Sequence, residues 1–333
     1  ESESRAFLGV NRSKRGLVLD LKQPQDLERL LTLVRSADVL VHNFRPSVPA
    51  RLGIAYEQLQ AINPRLIYCA VTGFGEEGPL KEKAGYDQVL QTMTGMCTLQ
   101  GAAGGPPEIL YGSVVDYYAA AMVASGVTSA LYEREKSGLG QSVGVSLLRS
   151  ALAMQSARMI WAENEGRDVG RDMRSGGITG IHPTREGYLY ISANTPHFWQ
   201  ALCEKTGLQA LLCERYDSVR KRAAHQAEIV PRLHAALAHR SALEWEQLFG
   251  EEVPCAAARA VEDMFDFPQV QAEDMVQVYE HPVVGTYRGF TRAVTFSRTP
   301  GTAGFAAPTL DQHGEALRQE ADQRRVISDK PTA

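Results

Sequence analysis

Short apolar runs alternate with amphipathic segments along the first half of the chain. Residues 15–21, 39–41 and 66–71 are apolar and short, as buried strands are. Between the first two runs, residues 24–34 place apolar side chains at i, i+3, i+4 and i+7, which is one face of a helix. This succession of strand, helix and strand predicts βαβ units, a parallel sheet and hence an α/β fold.

Residues 112–141 are predicted to form a loop or short strand, then a long alanine-rich helix and a glycine stop. Gly138, just after Lys136, is typical of a helix C-terminus. Asp116 lies at the other end, where unpaired N–H groups and the helix dipole favour negative charge, so we expect its carboxylate to stay ionised. Two interpretations are open: a helix N-cap, or a carboxylate nucleophile that attacks an acyl group.

Composition narrows the class of protein. The 333 residues carry a net charge of −4 and 44% hydrophobic residues, as expected of a soluble globular protein. No charge pattern suggests binding to nucleic acid, and no apolar run approaches the roughly 20 residues of a membrane span. We therefore expect neither nucleic acid nor a membrane as a partner. The five cysteines have no metal-site spacing, which predicts free thiols, no metal and a cytoplasmic location.

The chain starts without Met or a signal peptide, and we expect N-terminal residues to be missing.

Residues 73–78 match the GxGxxG pattern of dinucleotide-binding sites. That pattern requires a helix that begins at the glycines, and a charged loop without apolar periodicity follows here instead. Glu76 and Glu77 also place negative charge where phosphate would bind. We therefore do not predict a nicotinamide cofactor, and residue chemistry alone indicates an α/β enzyme with one notable aspartate.

Several blocks of sequence together resemble the class III CoA-transferases, the family of formyl-CoA:oxalate and butyrobetainyl-CoA:carnitine CoA-transferases. The family normally begins with a further strand–helix–strand unit, which this sequence lacks. The blocks that carry the likeness are residues 11–22, 37–46, 63–67, Asp116 with 137–141, 253–255 and 281–285.

The resemblance implies a Rossmann-like large domain, a smaller α+β domain and an interlocked homodimer. Residues 1–165 are then the first part of the large domain, 166–186 a linker, 187–290 the small domain and 291–333 the return to the large domain. The polar, glycine-rich segment from 166 to 180 agrees with the position of the linker.

The resemblance also implies a reaction. Asp116 matches the nucleophile, which forms an acyl-aspartyl anhydride and then an aspartyl-CoA thioester while CoA moves from an acyl-CoA to a small carboxylic acid. Acyl-CoA is a substrate, and no permanently bound cofactor is expected. The positions that match CoA contacts are Leu19, Asp20, Leu21, Lys22, Asn43, Phe44, Arg45, Arg51, Lys83, Ala84, Gly85 and Tyr86.

Alternatives remain at several of these positions. Lys22, Arg45, Arg51 and Lys83 suit phosphates, but each also fits an ordinary surface cation. Arginines at 171, 174 and 185 are candidates for binding a dicarboxylate, and surface solvation is the other interpretation.

Two other functions are open. An α-methylacyl-CoA racemase shares the fold and the aspartate, but it needs an acid–base pair, and Tyr86 stands where racemases have histidine. A free phenol, with a pKa of about 10, is a poor base at neutral pH. A CoA-binding protein without turnover is the third possibility.

Overall fold

The computed structural model describes residues 3–101, 105–164, 177–301 and 304–328. The chain forms two compact units: Glu1–Glu163 with Gln277–Ala333, and Asn164–Val276. The second unit ends at Val276, whereas the sequence led us to place a domain boundary at residue 290. The assignment of these ranges as large and small domains stays a prediction.

Helices and strands are interspersed along the described residues. The helices are α1 (Arg5–Val10), α2 (Pro24–Val34), α3 (Ser47–Leu52), α4 (Tyr56–Ile62), α5 (Asp87–Met93), α6 (Val114–Ser137), α7 (Leu147–Met154), α8 (Pro196–Thr206), α9 (Val219–Ala224), α10 (Gln226–Leu237), α11 (Ala242–Phe249), α12 (Pro268–Ala272) and α13 (Gly314–Ser328). The strands are β1 (Val39–His42), β2 (Ile67–Thr72), β3 (Ser142–Ser146), β4 (Gly180–Pro183), β5 (Tyr188–Ile191), β6 (Cys255–Ala257), β7 (Val276–His281) and β8 (Gly285–Phe290).

The first unit contains a parallel sheet in the order β1-β2-β3. Side chains alternate across the central strand because the period of a strand is two. Tyr68 and Ala70 therefore pack with Val34 of α2 in one apolar cluster, and Cys69 packs with Val115 of α6 in another. A strand covered on both faces explains the continuous apolar run, and the α/β prediction is confirmed.

The predicted strand at residues 15–21 is wrong. Its backbone groups bond to the segment that leads into α13 instead of to another strand. Gly16 N–H donates to His313 Nδ1 at 3.0 Å, and Val18 N–H donates to Asp311 Oδ1 at 2.8 Å. An apolar run does not reveal which partner will form hydrogen bonds with its backbone. The pattern alone therefore did not distinguish a strand in a sheet from an extended segment bonded to a loop.

Helix α6 is held at its far end by a buried arginine. Arg134 pairs with Asp38 at 2.8 Å and donates to the Arg65 carbonyl at 3.1 Å. The helix then ends at Gly138, whose φ of 78° is the left-handed conformation that glycine adopts readily. The predicted glycine stop is confirmed.

By length and composition alone, α6 is apolar enough to span a membrane. The expectation that no run approaches that length was therefore wrong. Core helices of other proteins pass the same test, and α6 packs against β2, β3, α5 and α7. This one helix is thus only a weak indication of a membrane segment.

The second unit has an antiparallel sheet in the order β4-β5-β6. One face of β5 is buried against helices through Leu189 and Ile191, which join a core that contains Trp199 and Trp245. Residues 180–183 of the predicted linker form strand β4. Residues 166–176 of that linker lie outside the described residues, and the linker assignment stays a prediction.

Candidate active site

Asp116 lies in the first turn of α6 but is not its N-cap. The helix starts at Val114, and Ser113 is the N-cap residue, although its side chain makes no capping bond. Asp116 is exposed, and its carboxylate accepts no hydrogen bond from the residues that the structure describes. The N-cap interpretation is therefore wrong.

A different carboxylate caps this helix. Asp87 Oδ2 accepts the N–H groups of Val115 at 2.6 Å and Asp116 at 3.1 Å. Asp87 is the first residue of α5, and only 2% of its surface is exposed. The free N–H groups at the start of α6 are thereby satisfied from another helix.

Gln91, one helical turn after Asp87, joins the pair of helices α5 and α6 to the segment at Leu110. Its Nε2 donates to Asp87 Oδ1 at 2.6 Å and to the Leu110 carbonyl at 3.2 Å. Its Oε1 accepts the Leu110 N–H at 2.8 Å. Helix α5, the segment at Leu110 and the start of α6 are thus fixed together. In the sequence, the i, i+4 spacing of Asp87 and Gln91 indicates that these two side chains can interact, but we did not predict this pair.

The surroundings of Asp116 raise the pKa of its carboxyl above the ordinary aspartate value. Burial by neighbouring protein atoms is the larger cause, although the residue stays exposed in the single chain, and the negative charge of Asp87 is the second. We had expected the helix end to favour the ionised form. Asp87 already occupies the N–H groups that would have done so, so this stabilisation of the ionised form does not reach Asp116.

The first predicted CoA segment, residues 19–22, is the turn that leads into α2. Asp20 N–H donates to Asp26 Oδ2 at 2.9 Å, and Lys22 N–H donates to Asp20 Oδ1 at 3.1 Å. Leu19 is half-buried, and Leu21 packs on the apolar cluster beneath α2. These two hydrogen bonds hold the turn, and the Lys22 side chain is exposed at its end.

The second predicted segment follows the carboxyl end of β1. Phe44 N–H donates to His42 Nδ1 at 3.2 Å, and the Phe44 ring stacks on His42 with centroids 5.5 Å apart. His42 Nε2 therefore carries the proton and donates to Tyr68 Oη at 2.7 Å. Burial lowers the pKa of His42, which favours this neutral form. Asn43, Phe44, Arg45 and Arg51 are all exposed.

The third predicted segment follows β2 and contains a close contact between two glycines. A Cβ on Gly73 would lie 2.7 Å from Gly85 Cα, and one on Gly85 would lie 2.4 Å from Gly73 Cα. Only glycine permits this approach. No helix begins at residues 73–78, so they lack the geometry of a dinucleotide site. Lys83, Ala84 and Tyr86 are exposed.

These segments share one edge of the parallel sheet. The loops after β1 and β2 are joined, since Ser47 N–H and Oγ both donate to the Glu82 carboxylate, at 3.1 and 2.9 Å. Helices α2 and α6 each lead into a parallel strand, so their first turns lie toward the carboxyl edge as well. The topology thus brings the CoA candidates and Asp116 to the edge where open α/β sheets bind ligands.

Four exposed cations on this edge have no acidic partner within the described part of the chain. They are Lys22, Arg45, Arg51 and Lys83. Lys83 Nζ lies 5.8 Å from the centroid of the Phe74 ring, which positions it without neutralising it. Arg185 pairs with Glu244 at 2.7 Å, which leaves it a poor candidate for a dicarboxylate, and residues 171 and 174 lie outside the described residues.

Metal ligands and disulfides are absent from the part of the chain that the structure describes. Its residues include no group of three or more His, Cys, Asp or Glu side chains that could hold a metal ion. Cys69, Cys97, Cys203, Cys213 and Cys255 are free thiols, as predicted.

Comparisons with known proteins indicate one family. The family model described as CoA-transferase family III matches residues 1–314. The chain is 34% identical to acetyl-CoA:oxalate CoA-transferase of Acetobacter aceti, over 96% of this chain and 82% of that protein. It is 30% identical to succinate–glutarate CoA-transferase of Agrobacterium fabrum, over 95% and 80%. A crystal structure of a CAIB/BAIF family protein from Brucella suis superposes with a TM-score of 0.84 at 28% identity, over 97% and 85%.

Proposed function

Because this chain belongs to CoA-transferase family III and is an enzyme of that type, we propose that it moves CoA from an acyl-CoA donor to a carboxylic acid through covalent intermediates on Asp116. The observation that supports this role is the placement of Asp116. Its backbone is fixed by Asp87, while its carboxylate is exposed and free of hydrogen bonds within the described chain. A nucleophile needs this combination of fixed position and available oxygen.

The proposed sequence begins when an Asp116 oxygen attacks the thioester carbonyl of the donor. The carbon–sulfur bond breaks, which gives an acyl-aspartyl anhydride and CoA thiolate. The thiolate then attacks the aspartyl carbonyl, releases the donor acid and leaves an aspartyl-CoA thioester. The acceptor carboxylate attacks this thioester to form a second anhydride, and the thiolate finally attacks the acceptor carbonyl. New acyl-CoA leaves, and Asp116 regains its carboxylate.

The raised pKa of Asp116 suits this chemistry. A carboxylate that is less stable in its ionised form is a stronger nucleophile than one held by cations or N–H groups. The pKa is raised through burial and through the charge of Asp87. Because Asp87 binds the two N–H groups, the helix end does not lower the reactivity of Asp116.

We propose that the four unpaired cations bind the phosphates of CoA. Lys22 precedes α2, Arg45 and Arg51 follow β1, and Lys83 follows β2. Phe44 and Leu19 are proposed to contact the adenine, and Asp20, Leu21, Asn43, Ala84, Gly85 and Tyr86 to line the CoA site with main-chain and side-chain groups. Exposed cations without acidic partners at the ligand-binding edge support this assignment.

We also propose a Rossmann-like large domain, an interlocked homodimer and a cytoplasmic location. Helix α6 supports the homodimer, since Tyr117 and Tyr132 are 62% and 67% exposed in the single chain and small residues lie between them. An apolar face of this kind is typical of a surface that another chain covers. The free thiols support a reducing compartment.

Trapping with hydroxylamine tests the covalent role. Protein incubated with acetyl-CoA and hydroxylamine should acquire a hydroxamate on Asp116, detected by peptide mass spectrometry, and should lose activity. Asp116→Asn is the control and should remain unmodified. Modification elsewhere, or full activity after treatment, would contradict the proposal. A racemase would instead exchange the α-proton of a 2-methylacyl-CoA in D₂O without forming the hydroxamate.

A further inference from the structure

One hydrogen bond of the second CoA segment depends on the charge of a side chain. Strand β1 ends at His42 and α3 begins at Ser47, so no helix or strand fixes the main chain of residues 43–46. The Phe44 N–H donates to His42 Nδ1 at 3.2 Å, much as an N–H two residues further on donates to the side chain in an Asx turn. The imidazole thus supplies the hydrogen bond that positions Phe44.

The imidazole itself is positioned by the sheet. His42 Nε2 donates at 2.7 Å to the hydroxyl of Tyr68, a buried residue of the neighbouring strand β2, and the two rings meet edge to face with centroids 5.0 Å apart. The imidazole also stacks on the Phe44 ring, with the two planes inclined by 25°. His42 therefore connects the buried strand β2 to the exposed ring of Phe44.

This arrangement has no place for a second proton on His42. Because Nε2 donates to Tyr68, Nδ1 carries the lone pair that accepts the Phe44 N–H. A proton added at Nδ1 would face that N–H as a second donor, and the hydrogen bond would be lost. Protonation of His42 would therefore release the Phe44 main chain.

The groups that face His42 do not change charge with it. Burial lowers the pKa of His42 below its ordinary value of 6.5. Tyr68 faces it from β2, and its pKa is raised to about 12, first by burial and then by the charges of Glu76 and Glu57. Tyr68 therefore keeps its hydroxyl proton while His42 titrates, and Arg45 is a fixed positive charge on the same segment.

We propose that His42 is a positioning residue for CoA, which holds Phe44 in the CoA-binding conformation only while the imidazole is neutral. The affinity for CoA then falls as the pH decreases through the lowered pKa of His42, below 6.5. This inference rests on the proposed function, in which Phe44 contacts the adenine. A histidine that bound a CoA phosphate as a cation would instead raise the affinity over the same range.

Two substitutions isolate the hydrogen-bond acceptor. Asparagine places Oδ1 where histidine has Nδ1, so His42→Asn keeps an acceptor for the Phe44 N–H and does not titrate. His42→Leu has a similar size and no acceptor. In calorimetric titrations with CoA at about pH 7.5, His42→Leu should bind about 3- to 10-fold more weakly than His42→Asn, as expected for loss of one hydrogen bond. Equal affinities of the two variants would overturn the inference.

The pH dependence tests the charge. Between about pH 7.5 and about pH 5, the wild type should lose about 3- to 10-fold in CoA affinity relative to His42→Asn at the same pH. Titration of the CoA phosphates and of Asp116 affects both proteins and cancels in this ratio. His239→Gln, which removes an exposed histidine of the second unit, is the control and should follow the wild type. A constant ratio, or one that shifts in favour of the wild type at acid pH, would contradict the inference.

An amide resonance separates the failure of this inference from the failure of the proposed function. In protein labelled with nitrogen-15 phenylalanine, the Phe44 resonance is assigned by its absence in Phe44→Leu. It should change its chemical shift as wild-type His42 titrates and remain constant in His42→Asn. That result, together with CoA binding but no CoA transfer, would refute the proposed function alone. A Phe44 resonance that is independent of pH in the wild type, or a wild type that binds no CoA, would refute the inference.

Discussion

At the scale of single residues, the two aspartates at the start of α6 differ in their hydrogen bonds. Asp87 is buried and accepts the N–H groups of Val115 and Asp116, whereas the Asp116 side chain points to no donor in the described chain. One carboxylate therefore stabilises the helix, and the other remains exposed without a hydrogen-bond donor in the described chain. The helix end alone did not indicate which aspartate would serve as the cap.

The raised pKa of Asp116 has a consequence for stability. A carboxyl whose pKa is higher in the folded than in the unfolded state destabilises the fold wherever it is ionised. Asp116→Asn should therefore raise the melting temperature at pH 7. The gain should shrink as the pH falls through the folded pKa and should vanish below the ordinary aspartate pKa of about 3.9, where both states are protonated. Calorimetry across this range measures the effect, and a loss of stability at pH 7 would contradict it.

At the scale of elements, long-range contacts hold the site together. Gln91 connects α5 to Leu110 and, through Asp87, to α6, while Ser47 and Glu82 join the loops after β1 and β2. Asp87 and Val115 are 28 residues apart, so periodicity within either helix did not predict their bond. The apolar runs of β1 and β2 did predict strands, and in β2 consecutive residues are apolar because both faces of that strand are buried.

Removal of the Gln91 amide tests this connection. Gln91→Leu keeps the approximate volume but leaves the Leu110 N–H and Asp87 Oδ1 without their partner, which should lower the free energy of unfolding by about 1–3 kcal/mol. It should also reduce kcat, because the start of α6 loses its fixed position. Gln88→Leu, on the exposed face of α5, is the control for urea denaturation. Equal stability of the two variants would argue against the connection.

The contact between Gly73 and Gly85 predicts a second effect at this scale. In Gly73→Ala the new methyl group meets backbone atoms of Gly85, which cannot move as a side chain does, and the cost should be about 1–3 kcal/mol. The KM for acyl-CoA should rise because Lys83 and Tyr86 lie on the displaced loop. Gly9→Ala, with no atom within 4 Å of the added Cβ, should retain both stability and KM. A Gly73→Ala variant with the same stability and KM as Gly9→Ala would contradict this prediction.

At the scale of the whole molecule, the sequence predicted the class of fold better than it predicted the boundaries of strands and domains. The α/β organisation followed from the apolar runs, whereas residues 15–21 failed as a strand because their partners come from about 300 residues further along the chain. The CoA positions came from resemblance to a family. Topology then placed them at one sheet edge, which no local pattern in the sequence could show.

The proposed homodimer is tested on the exposed face of α6. Ala124 lies on that face among small residues, so Ala124→Glu would place a charge in an apolar interface. The wild type should sediment as a dimer, and Ala124→Glu as a monomer or as aggregates. Wild-type sedimentation at the mass of one chain would contradict the homodimer, as would a variant that remains fully dimeric.

The central claim is that Asp116 becomes covalently bonded to both the acyl group and CoA in each turnover. An acceptor acid with oxygen-18 in its carboxylate tests it most directly. Its labelled oxygen bridges the second anhydride and stays on Asp116 when acyl-CoA leaves. After turnover, mass spectrometry of the peptide that contains Asp116 should find oxygen-18 in that carboxyl group. Complete CoA transfer with no label on Asp116 would contradict the account.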